Sequence, residues 1–285
     1  MTMRRLFFAL LVVLAGTASA AECRRHNKAY VSSPDTGVPF LLKNQLTSYV
    51  LSFRYIAPST TQPGRVMLAM PAPVNKTGFS RFDFASIEIN GIDSRAIEPK
   101  SFEIFNRPEE SGVDVHYNFN GIPMILRLSV SDASPLLTMT WTRGKGKPRQ
   151  QIKSAELRFS VLPSASGRQN DSYSRELVTP TGKYEATPNV RWKKQQLSKD
   201  DTWIIMQDAK YQYPKDTDYA SPVLLCPVWD GILSGTARHG VHQDIFLNFQ
   251  LDPNAQSWTF KMLDCEKKRS NADFFDFLKE QKIIQ

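Results

Sequence analysis

The stretch from Gly112 to Thr142, GVDVHYNFNGIPMILRLSVSDASPLLTMTWT, leaves few folds open. Val113, Val115, Tyr117 and Phe119 alternate with Asp114, His116, Asn118 and Asn120. That is the period-two pattern of a strand with one buried face. Asn120-Gly121 follows, a dipeptide that readily takes the positive φ angles of a tight hairpin turn. Met124, Leu126, Leu128 and Val130 alternate with Ile125, Arg127 and Ser129, and Ser131-Asp132-Ala133-Ser134-Pro135 supplies turn chemistry. Leu137, Met139 and Trp141 alternate with Thr138, Thr140 and Thr142. A three-stranded antiparallel meander of this kind exposes one apolar face and needs a second layer to cover it.

The remaining residues read as that layer. Strand patterns run over Ser48–Ala57 (with Tyr49, Leu51, Phe53 and Tyr55 on one face), Arg65–Met70, Phe82–Ile89, Phe102–Phe105, Ile152–Leu162, Asp201–Gln207, Val223–Val228, Ile245–Leu251 and Trp258–Met262. Asn90-Gly91 is a second hairpin signal. Residues 21–45 read as an extended arm. Residues 163–202, punctuated by Pro163, Gly167, Pro180, Gly182 and Pro188, read as an irregular insertion. Ser270 and Asp273 are spaced as a helix start, and Phe274, Phe277, Leu278 and Gln281 share one helical face. The predicted fold is therefore all-β: a large antiparallel β-sandwich, of supersandwich size in the wider reading, with a short C-terminal α-helix. Residues 21–285 form its single domain.

Residues 1–20 stand apart. Arg4 and Arg5 precede the apolar run Leu6–Ala15, and Ala18-Ser19-Ala20 is a small-residue cleavage site, together the pattern of a secretory signal peptide. The run is shorter than the roughly 20 apolar residues a bilayer span needs, so no stable membrane span is expected. The expected location is periplasmic or extracellular. Removing twenty residues from 285, Arg4 and Arg5 among them, leaves 265 and takes the formal charge from +8 to +6. A moderately basic surface suits acidic polysaccharides or anionic membranes. The densest basic groups, Arg143-Lys145-Lys147-Arg149, Arg191-Lys193-Lys194 and Lys267-Lys268-Arg269, read as solvated loops, and no nucleic-acid module is present. In an oxidising compartment Cys226 and Cys265 form one candidate disulfide, with Cys23 left over or the partner of either. Glu22 before Cys23 does not fit a lipoprotein cleavage site, which leaves lipid anchoring at Cys23 the lesser alternative.

Two groups of residues carry chemistry. His239-Gly240-Val241-His242-Gln243-Asp244 combines imidazoles and a carboxylate. With a bend at Gly240, His239, His242 and Asp244 are candidate ligands of a divalent metal; without a metal, His242 is a candidate general base oriented by Asp244. The second group is aromatic: Trp203, Tyr211, Tyr213 and Trp229 lie in or near loops with carboxylates such as Asp230. Flat apolar rings beside polar groups suit sugars. Tyr211 and Tyr213, flanked by polar residues, are expected to be exposed. The chain has no G-x-S-x-G, P-loop or dinucleotide-binding glycine run.

Val115-His116-Tyr117-Asn118-Phe119, Ile125-Leu126-Arg127-Leu128-Ser129-Val130 and Ser134-Pro135-Leu136-Leu137 together resemble a segment of the galactose-mutarotase-like β-supersandwich of carbohydrate-active proteins. The resemblance covers about 30 residues and carries over no catalytic residue. In several such enzymes the sandwich accompanies a helical barrel that this chain is too short to include, which implies a stand-alone binding or accessory protein. The expected function is an exported carbohydrate-binding protein whose partner is a glycan or polysaccharide, with no cofactor. The alternatives are a lyase or hydrolase using the His239–Asp244 segment, with or without a divalent metal, and an envelope assembly protein with a protein partner.

Overall fold

The computed structural model describes residues 21–26, 37–60, 63–70, 83–146, 148–162, 174–187, 194–211, 222–239, 245–264 and 269–285. In chain order the strands are β1 (Glu22–Arg25), β2 (Gly37–Lys43), β3 (Ser48–Ile56), β4 (Arg65–Ala69), β5 (Ala85–Ile89), β6 (Ile92–Asp93), β7 (Ser101–Asn106), β8 (Glu110–Phe119), β9 (Ile122–Ser131) and β10 (Leu137–Arg143). They continue as β11 (Ala155–Val161), β12 (Arg175–Val178), β13 (Lys183–Ala186), β14 (Gln195–Leu197), β15 (Ile204–Asp208), β16 (Val223–Val228), β17 (Ile232–His239), β18 (Ile245–Leu251) and β19 (Ser257–Asp264). Helix α1 (Asn271–Glu280) follows.

The strands form two antiparallel sheets. The first runs β1-β2-β3-β4-β5-β11-β18-β17-β14, with β6 paired to β5; the second runs β13-β12-β15-β16-β19-β10-β9-β8-β7. Their inner faces share one core. Phe260 of β19, in the second sheet, lies 5.2 Å from Phe159 of β11 and 4.9 Å from Phe249 of β18, both in the first. Tyr49 of β3 donates its hydroxyl to the Pro135 carbonyl at 2.6 Å, tying the first sheet to the turn between β9 and β10. The architecture is the expected β-sandwich with a short C-terminal helix.

The meander β8-β9-β10 forms as its alternation dictates. Its inward residues, from Val113 to Trp141, are all buried, and their outward neighbours, apart from Gly112 and Ser129, are not. Asn120 and Gly121 take φ of 49° and 92°, and Asn90 and Gly91 take 50° and 80°, as the two hairpin turns require. Ser270 caps α1 by accepting from the Asp273 N–H at 3.1 Å, while Phe274 and Leu278 face the core.

Other expectations change. The stretch 163–202 carries β12, β13 and β14 among its described residues, so it completes the edges of both sheets. The extended arm of residues 21–45 contributes paired strands β1 and β2 to the first sheet. Strand β3 is buried on both faces from Tyr49 to Arg54, and Tyr55, expected on the buried face, is exposed. Residues 232–239, not read as a strand, form β17. Cys23 is buried in β1, and Cys23 and Cys226 are both unbonded. Cys265 and residues 1–20, read above as a signal peptide, lie outside the described residues. At the start of the described chain, the Ala21 N–H donates to the Asp132 carboxylate, and its carbonyl accepts from the Ser111 hydroxyl at 2.6 Å.

Candidate functional site

The outer face of the first sheet is built from the residues that alternate with its core. On β5, β11, β18 and β17 these include Ser86 and Glu88; Glu156, Arg158 and Ser160; Phe246, Asn248 and Gln250; and Thr236 and Arg238. Register aligns them in cross-strand rows. Arg158 is opposite Ser86 on one side and Asn248 on the other, and Asn248 is opposite Thr236. In the next row Ser160 is opposite Phe246, which is opposite Arg238. Polar side chains, a half-buried aromatic ring and a guanidinium thus share one surface.

A cleft of about 280 Å3 opens there. Its floor is the β5-β11-β18 surface, with Ser86, Arg158, Ser160 and Asn248; Arg238 and Phe246 line it from the β17-β18 pair, and Asp83 and Arg95 from the segments flanking β5 and β6. Arg95 is fixed by two carboxylates. It meets Asp93 through Nε at 3.0 Å and Nη2 at 2.6 Å, and Asp83 through Nη1 at 2.9 Å. Arg158 is held likewise, by Glu156 at 2.6 Å and Glu88 at 3.3 Å, and Gln250 donates to the other Glu156 oxygen at 2.6 Å. Arg238 differs. Its guanidinium carbon lies 4.9 Å from the centroid of Phe246, and it makes no ion pair among the described residues. Burial pushes the Asp83 carboxyl above its ordinary range, against the opposing pull of Arg95. The lining offers N–H and O–H donors, a carboxylate acceptor, an amide that does both, and a ring face.

The described residues among those singled out from the sequence are not part of this lining. Trp203 is half-buried, packed edge-on to Phe275 of α1 with centroids 6.4 Å apart. Tyr211 is buried at 5 % exposure, contrary to the expectation that its polar neighbours would leave it in solvent; it lies in the turn after β15, where its N–H donates to the Asp208 carbonyl. Trp229 is half-buried and donates its indole N–H to the Asp201 carbonyl at 3.1 Å, which brings the loop before β15 against the β16–β17 turn. Asp230 is exposed in that turn, beside Gly231 at φ 78°. His239 ends β17 on the same side as Ala237, opposite the buried Ile245, so its parity is the core's and not the cleft's. Tyr213, His242 and Asp244 lie outside the described residues. Among the described residues no three His, Cys, Asp or Glu side chains come together as a metal site.

Sequence reading missed the cleft because its members are scattered over four elements and belong to no motif. One signal was present. In Ile245–Leu251, IFLNFQL, Phe246 is an aromatic ring in the outward phase, where a half-buried sheet normally carries polar side chains.

No protein-family model and no curated protein sequence matches the chain. Among solved structures it is similar to an α-galactosidase from Geobacillus stearothermophilus, at 10% identity and a TM-score of 0.43 over 85% of this chain and 40% of that one. It is also similar to an α-N-acetylgalactosaminidase from Bifidobacterium bifidum, at 9% identity and 0.47 over 93% and 38%. A TPR-domain-containing protein from Parabacteroides distasonis gives 11% and 0.47 over 81% and 48%. The chain thus spans about two fifths of the length of the two glycosidases. Likenesses this distant assign no activity to it.

Proposed function

We propose that the chain is an exported carbohydrate-binding protein and that the outer-face cleft of the first sheet is its binding site. The observation that carries this reading is the lining itself. Arg158, Asn248, Ser86 and Ser160 place donors and acceptors across a sheet surface beside the Phe246 ring, the combination that takes sugar hydroxyls at their edges and the sugar's apolar face on an aromatic ring. The size of the two sheets agrees with the supersandwich that residues 115–137 resemble. The lining includes one carboxyl among its described residues, Asp83, whereas glycoside hydrolysis of the usual kind employs a pair; this favours binding over turnover.

The test is a glycan array probed with purified residues 21–285, with and without a chelator, beside the Phe246→Ala and Asn248→Ala variants. Both substitutions fall on the outer face, so the fold should survive them while glycan binding falls at least tenfold. Binding that persists in the chelator supports a metal-free lectin-like site. A blank array from folded protein, or full binding by both variants, overturns the assignment.

A further inference from the structure

Arg95 and Arg158 are each engaged by two carboxylates, so their charge is neutralised within the protein. Arg238 makes no ion pair among the described residues, yet it is not loose: the Phe246 ring beneath it limits where the guanidinium can lie. Stacking uses the flat face of a guanidinium and leaves its N–H edge available, and that edge is a two-pronged match for a planar oxyanion. The charged residues lining the cleft are three arginines and one aspartate; with Arg95 and Arg158 neutralised by their carboxylates, Arg238 is the lining's cation without an ion pair among the described residues. Residues 21–285 carry a formal charge of +6, which favours approach of a polyanion. At about 280 Å3 the cleft sits near the small end of ligand sites, roughly 300–1,000 Å3. It therefore suits a terminal or single sugar unit better than a long chain segment.

We infer that the cleft selects an acidic saccharide, one bearing a uronate carboxylate, and that Arg238 receives that carboxylate while Asn248, Ser160 and Ser86 take hydroxyls. This rests on the glycan-binding reading above and names its ligand class. Arg238 is then the specificity-determining residue, because the other two guanidinium groups are already satisfied and cannot reward a second anion to the same degree. A neutral sugar would leave the Arg238 edge to water.

The experiment is isothermal titration of the 21–285 chain with four oligomers of equal length: oligogalacturonate, its methyl ester, a neutral galactan and a sulfated galactan. The proteins are wild type, Arg238→Gln, Arg238→Lys and, as a control on the opposite sheet, Arg127→Gln. Wild type should bind the acid at least tenfold more tightly than the ester, with the ratio shrinking at high salt. Arg238→Gln should bring the ratio close to one, Arg238→Lys should keep part of it because charge survives without the fork, and Arg127→Gln should leave it intact. Equal binding of acid, ester and neutral galactan overturns the acidic preference while the glycan reading stands. A preference for the sulfated oligomer over the uronate overturns the carboxylate assignment. An acid-to-ester ratio unchanged in Arg238→Gln removes Arg238 from the role. No binding of any oligomer by folded protein sinks the glycan reading itself.

Discussion

Replacing Asp208 with Asn should be among the most damaging single-atom changes available in this chain. Asp208 ends β15 and Arg175 begins β12, directly opposite in register. Their side chains are 0 % and 1 % exposed, and Arg175 Nη1 lies 2.8 Å from Asp208 Oδ2. The other carboxylate oxygen accepts from the Lys210 N–H at 2.9 Å and the Ser174 N–H at 3.2 Å. An Asn that keeps its oxygen on those two amides sets an NH2 group against a buried guanidinium; turned over, it offers Arg175 a neutral oxygen and leaves the two amides facing an NH2. Breaking one side of a buried pair costs about 3–5 kcal/mol, because the remaining charge stays out of water. For a chain of this size about 1 kcal/mol moves Tm by roughly 2–4 °C, so Asp208→Asn should lower Tm by about 10 °C. The contrast is Asp114→Asn. Asp114 also meets an arginine in two-pronged fashion, Arg127 at 2.7 Å twice, but with side-chain exposures of 32 % and 16 % the loss should stay within about 1 kcal/mol. Thermal and urea unfolding of the two variants, with Arg175→Met and the Arg175→Met/Asp208→Asn double variant, provide the assay. The double variant should be less destabilised than the sum of its singles by about 2 kcal/mol or more. A loss under about 1 kcal/mol for Asp208→Asn, or strict additivity in the cycle, would refute the reasoning.

Three further outcomes follow from the same structure. Phe260→Ala removes the ring that bridges the sheets to Phe159 and Phe249 and should cost about 3–5 kcal/mol, read as a shift in the urea midpoint with the slope unchanged. Burial alone would raise the Asp201 carboxyl, but hydrogen bonds from the Ser198 N–H and the Thr181 and Thr179 hydroxyls outweigh it and hold the carboxyl below its ordinary value of 3.8. The stability it contributes is thus present above that value and lost as pH falls below it; Asp201→Asn should flatten the acid limb of a stability–pH curve, and an unchanged limb would contradict this. Burial pushes the Cys23 and Cys226 thiols up to about 12 each, so peptide mapping after iodoacetamide at pH 8 should find both unmodified in folded protein and alkylated in urea.

The strands that were legible are the ones whose two faces differ. In β8, β9, β10, β11 and β18 an apolar residue recurs every second position, and burial follows that alternation except at Ser111-Gly112 and Ser129. Strand β12 was not legible because two of its three buried positions are polar, and β13 and β14 because each is short and buries a single apolar residue, Ala186 and Leu197. Arg175, Glu176 and Ser174 are 1 %, 3 % and 2 % exposed and hydrogen-bond to Asp208, Gln207 and Glu185 respectively. Hydropathy reads such a stretch as loop, since burial here is enforced by pairing partners that are distant in sequence. Strand β17 was hidden differently: Gly235, Thr236 and Ala237 carry little apolar signal, and Gly235 is needed because a Cβ there would lie 2.9 Å from the Phe249 ring.

The same logic bears on the aromatic residues that the sequence singled out. Clusters of Trp and Tyr near carboxylates suggested a sugar platform, yet the described tryptophans of that cluster serve the fold: Trp203 meets α1 and Trp229 secures the loop at Asp201. An aromatic ring close to a turn is as useful for anchoring that turn as for meeting a ligand, and local sequence does not separate the two uses. What separates them is parity within a paired strand. Phe246 lies on the outward side of β18 between the inward Ile245 and Leu247, with Arg238 opposite it and Asn248 two residues on. An outward ring on a central strand gains little for the core, so its half-buried position is explained by what shares that face. Once β17 and β11 are set on either side of β18, the outward ring, the Arg238 guanidinium and the amide become neighbours on a surface that no contiguous motif encodes.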